Sequence, residues 1–138
     1  MSKVEDFYPI IEEELKKGNS FSFPINGTSM QPLLHKGDIV TIKKTDTLKK
    51  GDIAFFKRDN NTFVLHRIIK IKDSTLDFVG DHQTHVECNI RFDQVIGVVT
   101  QYKKKKQKDY KGLNRLSYKI YKFIVKSKII RFIFSKIC

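Results

Sequence analysis

From Phe21 onward the apolar residues of this 138-residue chain recur with a period of two, and that alternation restricts the fold more than any other feature. The segments "FSFPI" (21–25), "DIVTIKK" (38–44), "DIAFFKR" (52–58), "TFVLHRIIKIK" (62–72), "TLDFVG" (75–80) and "QVIGVVTQYK" (94–103) are short and rich in β-branched and aromatic residues. Turn formers separate them, so each reads as a strand. Asp59-Asn60-Asn61 suits a hairpin turn, and Lys49-Lys50-Gly51-Asp52 suits another. Six such strands predict a mainly β domain built on a curled or barrel-like antiparallel sheet. Ahead of them Val4, Phe7, Ile11 and Leu15 follow helical spacing, with Tyr8 beside Phe7 on the same face and Gly18-Asn19 as a stop. This spacing predicts an amphipathic helix over about residues 3–17.

The net charge of +12 suggests nucleic acid until it is located. Residues 1–100 hold 14 Lys+Arg against 14 Asp+Glu, whereas residues 101–138 hold 13 Lys+Arg against the single Asp109. The body is neutral and the tail carries the excess, which divides the chain into a domain at 1–100 and a basic linker and tail at 101–138. Beyond Lys103-Lys104-Lys105-Lys106, the positions Leu113, Leu116, Ile120, Phe123, Ser127, Ile130, Phe134 and Ile137 advance by threes and fours. Lys or Arg occupies 115, 119, 122, 126, 128, 131 and 136 between them. A basic amphipathic helix of this kind suits the plane of an anionic membrane, on the cytoplasmic leaflet before the external one. The alternative is a helix packed on its own domain or on a partner chain. Nucleic acid is disfavoured, because the tail has no stacking motif beyond scattered Tyr and Phe.

Residues 1–17 contain no apolar run of signal-peptide length, and no segment reaches the ~20 apolar residues of a membrane-spanning helix. The two cysteines, Cys88 and Cys138, make neither a disulfide framework nor a metal-ligand spacing, so no metal and no cofactor is expected.

Chemistry concentrates around "NGTSMQPLLHKGD" (26–38), where Ser29 sits in a Gly27-Thr28-Ser29-Met30 turn followed by Pro32. A serine hydroxyl is too weak an acid to attack at neutral pH without a base beside it. Met30 suits a buried anchor for the turn, and Pro32 stiffens it. Of the four histidines, His66 alone lies within a strand, sharing a face with Val64 and Ile68 while Leu65, Arg67 and Ile69 share the other. His82 and His85 fall in a polar loop, and His35 is a near neighbour of Ser29 in sequence. Two acids follow the fifth strand: Asp81, directly after Gly80, and Glu87, six residues on.

The boxes "GTSMQPLLHKGDIVTIKK", "LKKGDIAFFK", "VLHRIIKI", "FVGDHQTH" and "VIGVVT" occur in the order and spacing of type I signal peptidases and their LexA-like relatives, and the chain resembles that superfamily over roughly residues 20–100. The resemblance implies a serine endopeptidase that cuts extended peptides after small side chains, removing leader or signal segments from precursors. Bacterial leader peptidases and LexA-like proteins carry a lysine in the third box. The His66-Arg67 found here resembles the branch of the endoplasmic reticulum, archaea and some Gram-positive bacteria. Carried over by position, Ser29 is the nucleophile, His66 the general base and Asp81 the orienting carboxylate, with Glu87 as the alternative third member. Gly27 stands where the family often has an oxyanion-holding hydroxyl, with Thr28 next to it. The usual N-terminal anchor is absent, and the basic tail resembles a replacement for it. Two other readings share the motif: an idle, membrane-docked binding module, and a LexA-like regulatory or self-cleaving protease.

Overall fold

The computed structural model describes residues 4–105 and 111–112. Helix α1 (Tyr8–Lys16) follows a 3-10 turn at Val4–Phe7. Pro9 lies in the first turn of α1, where a missing N–H costs nothing, and this divides the expected continuous helix in two. Tyr8, Ile11 and Leu15 are buried, whereas Phe7 stays 46% exposed. Tyr8 therefore takes the core position expected of Phe7. Gly18, with φ of 89°, ends the helix and donates to the Leu15 carbonyl at 3.0 Å.

Strands β1 (Phe21–Pro24), β2 (Ile39–Lys43), β3 (Ile53–Lys57), β4 (Phe63–Ile71), β5 (Thr75–Val79), β6 (Glu87–Arg91) and β7 (Val95–Lys103) form one antiparallel sheet in the order β1-β2-β7-β3-β4-β5-β6. A short β8 (Lys111–Gly112) adds to β7. The mainly β architecture expected from the alternation is present. Register shifts in four ladders (β2–β7, β3–β7, β4–β5 and β5–β6) bend the sheet. It stays open, with β1 and β6 as its ends, and forms no closed barrel among the described residues.

Alternation along the strands supplies two cores. Ile53 and Phe55 of β3 point to the side covered by α1, where Tyr8, Ile11 and Leu15 meet Phe23, Met30, Leu34 and Val40. Tyr8, Phe23, Phe55 and Phe63 form an aromatic cluster there, with ring centroids 5.1–5.8 Å apart. Each such side chain contributes ~1.5–3 kcal/mol when fully buried. Ala54 and Phe56 point the other way, onto Val64, Ile68, Leu76 and Phe78.

The sheet continues past position 100. Gln101, Tyr102 and Lys103 pair with Thr41, Val40 and Ile39 of β2. The amphipathic helix expected at 113–138 lies outside the described residues. Among the described residues no helix is long and apolar enough to cross a membrane.

Candidate active site

Ser29 sits in the loop joining β1 to β2. The base of that loop is closed by two backbone hydrogen bonds, Ile25 N–H to the Asp38 carbonyl (2.8 Å) and Gly37 N–H to the Ile25 carbonyl (3.0 Å). Gly27 opens the turn at φ of 95°, a conformation that strains any residue with a Cβ. Met30 and Leu34 anchor the turn, 2% and 0% exposed, and Pro32, after a cis peptide, lies exposed on its outside. Asp38 is 3% exposed and ties the far end of the loop. It accepts from the His35 N–H at 2.7 Å, the Lys104 ammonium at 2.9 Å and the Lys105 N–H at 2.9 Å. Burial opposes its ionisation, but these donors outweigh it and hold the carboxyl below its ordinary range.

The inner side of the Ser29 turn leans on the β5–β6 connection. Its carbonyl accepts the His82 N–H at 2.9 Å. A Cβ placed on Gly80 would meet the Ser29 carbonyl oxygen at 2.6 Å and the Ser29 Cβ at 3.1 Å. Glycine is thus required at position 80 by close approach. Gly80→Ala should displace Ser29 and lower by about 10²-fold the kcat/KM of any acyl transfer in which Ser29 is the nucleophile, the scale set by ångström misplacement of a reacting group. Steady-state kinetics on a folded variant check this.

His66 lies on β4 opposite Ala54, 4% exposed and edge-on to Phe56 at 6.3 Å. Its Nδ1 is 3.2 Å from Oε2 of Glu87. The contact is not aligned as a hydrogen bond, and neither atom has another hydrogen-bond partner among the described residues. Arg58 Nε donates to the second oxygen, Oε1, at 2.6 Å. Burial works against a charge on Glu87, but the contacts with His66 and Arg58 prevail and lower its pKa from 4.5 to about 2.

Of the two acids named from the sequence, Glu87 is the one beside His66, and Asp81 is held elsewhere. Arg67 grips Asp81 through Nε (3.0 Å) and Nη2 (2.6 Å), while its Nη1 reaches the Gly51 carbonyl (2.9 Å). Strand parity explains the exchange. Arg67 pairs with Val79, so Asp81, two residues on, follows the Arg67 face. Ile68 pairs with Phe78 and Phe78 with Glu87, so Glu87 shares the face of Ile68 and His66. The signal in the sequence was the odd spacing of Asp81 from Phe78, but using it requires the β4–β5 register.

Ser29, His66 and Gly27 line one cavity of about 240 Å³, with Met30, Phe63 and Leu65 among its apolar walls. A second cavity, of about 440 Å³, adjoins at His66, Arg58 and Gln83 and is bounded by His82, Thr84, His85 and Glu87. His82 and His85 are exposed there, and His35 is exposed near Lys104. With Nδ1 on Glu87, Nε2 is the ring nitrogen left to serve as base. A hydroxyl, an imidazole and a carboxylate at the edge of a cleft suit nucleophilic acyl transfer.

The Glu87 shift also predicts an acid limb. The ionised form is favoured in the folded state, so its stabilisation is complete above about pH 4.5 and is lost as pH falls toward about 2. Urea unfolding across that window should show wild type losing stability more steeply than Glu87→Gln.

A family model described as Peptidase S24-like matches residues 1–100. No curated protein matches the chain.

Proposed function

Because the chain belongs to the Peptidase S24-like family across residues 1–100, we propose that it is an active serine endopeptidase that cuts leader segments from peptide precursors. The observation that carries this reading is the His66 ring, which shares a cavity with Ser29 and has its far nitrogen against an ionised Glu87. Ser29 Oγ attacks the scissile carbonyl while His66 Nε2 takes its proton. Glu87 fixes the imidazole and stabilises the imidazolium, and Arg58 holds Glu87 in place. In this reading the Ser29 N–H donates to the developing oxyanion. Gly27 brings no hydroxyl, and Thr28 is its neighbour in the chain. His66 then returns the proton to the leaving amine, and water hydrolyses the acyl-enzyme by the same relay.

The cleft beside Ser29, with Met30, Phe63 and Leu65 among its walls, supports a substrate bound in extended form with small or apolar side chains before the cut. The basic stripe at 113–138 supports delivery of such substrates at an anionic membrane surface.

The test is to incubate the protein with extended peptides and leader-bearing precursors and read new N-termini by mass spectrometry. Cuts after small residues that vanish in Ser29→Ala are expected. Equal cutting by Ser29→Ala, or none of any peptide, overturns the reading. Cutting confined to the chain itself would assign the self-processing alternative.

A further inference from the structure

Glu87 reaches His66 only because β6 contains one residue too many. Leu76 pairs with Ile90 and Phe78 pairs with Glu87, so between these rungs β5 advances two residues and β6 advances three. Cys88 and Asn89 together oppose Asp77. In an unbulged ladder Cys88 would stand opposite Phe78, and Glu87 would turn to the other face of the sheet, away from His66.

The bulge has its own fastening. Asn89 adopts φ of 61°, the left-handed region that asparagine tolerates better than other residues with a Cβ. Its N–H donates to Asp77 Oδ1 at 3.0 Å, and its side-chain Oδ1 accepts from Lys72 Nζ at 2.8 Å. Lys72 Nζ also lies 3.1 Å from Asp77 Oδ1. Asp77 is 3% exposed and lines neither cavity at the site. A buried carboxylate is costly unless paired; Lys72 pairs this one, and the same oxygen holds the backbone N–H of the bulge residue Asn89.

We propose that Asn89 and Asp77 are positioning residues for the peptidase reaction, locking the β6 bulge that turns the Glu87 carboxylate onto the His66 face. The proposal rests on the assignment of Glu87 as the orienting acid. The bulge acts through Glu87, so its removal and the loss of the carboxylate are one defect.

The experiment is a double-mutant cycle between Glu87→Gln and Asn89→Val, read as kcat and KM on a cleaved peptide. Glu87→Gln should lower kcat by roughly 10²–10⁴ with little change in KM. Asn89→Val, β-branched where φ is positive, should lose kcat to a similar degree, and the double variant should fall no more than about threefold below Glu87→Gln. Asn89→Gly, free to adopt the same φ, should keep activity within about fivefold of wild type. Asp77→Ala removes the acceptor without strain in the backbone and should also lower kcat with KM unchanged. In a Ser29→Ala background, the ring-nitrogen chemical shifts of His66 should change alike in Asn89→Val and Glu87→Gln, a signature that mere destabilisation does not produce. Losses that multiply in the double variant, or full activity in folded Asn89→Val and Asp77→Ala, overturn the inference alone. Full activity in Glu87→Gln overturns the assignment of Glu87 and the inference with it.

Discussion

Ser29→Ala and His66→Ala are each expected to reduce peptide cleavage by at least ~10⁴, with the double variant no worse than either. The size follows from their acting as one unit: without the base the hydroxyl stays protonated, and without the hydroxyl the base has nothing to activate. His66→Lys is expected to restore little of this activity, although lysine is the base in the better-known branch of similar peptidases. A lysine serves only when neutral, which requires desolvation away from negative charge. Here its ammonium would lie against Glu87, which is 3.2 Å from His66 Nδ1 and ionised down to about pH 2. That neighbour stabilises the charged, useless form. Kinetics with circular dichroism on each variant check the set, and wild-type-like cleavage by His66→Lys would mean that the carboxylate does not govern the base.

Legibility from the sequence followed the length and regularity of each signal. Strands such as Phe63–Ile71 and Val95–Lys103 alternate over nine residues with strong β-formers, so pattern alone finds them. The strand Glu87–Arg91 does not: it reads Glu-Cys-Asn-Ile-Arg, with Asn89 in a left-handed conformation that no period of two anticipates. Ser29 and His66 could be singled out as candidates because one sits in a distinctive turn and the other in a strand. Which acid lies beside His66 could not, since the choice between Asp81 and Glu87 depends on which face each occupies. That parity passes through two ladders with register shifts. Arg67 as the partner of Asp81 was equally hidden, although its place on the face opposite His66 was visible. The role of Asp38 beyond its turn was also out of reach, because its partners Lys104 and Lys105 lie 66 and 67 residues away.

That long-range contact ties Lys104 and Lys105 to the loop that carries Ser29. A chain ending at Thr100 is expected to be less stable than one ending at Lys105 by about 2–3 kcal/mol, because a buried acceptor that loses its donors costs ~1–3 kcal/mol. Removing 101–105 takes both the Lys104 ammonium and the Lys105 N–H from Asp38, and takes from β2 its β7 partners at Ile39, Val40 and Thr41. A loss of that size is a large share of the ~5–15 kcal/mol that holds a typical domain together. Activity should fall with it, because Asp38 closes the loop that carries Ser29. The chain ending at Lys105 keeps both partners and should cleave soluble peptides as the full chain does, while losing the basic apolar stripe beyond it. If that stripe holds the enzyme at a membrane, this shorter chain no longer sediments with anionic vesicles, since basic residues there contribute ~1 kcal/mol each before screening. The two comparisons separate the two roles of the basic segment. Equal urea midpoints for chains ending at 100 and 105 would remove the Asp38 tether, and equal vesicle binding with and without 106–138 would remove the membrane anchor.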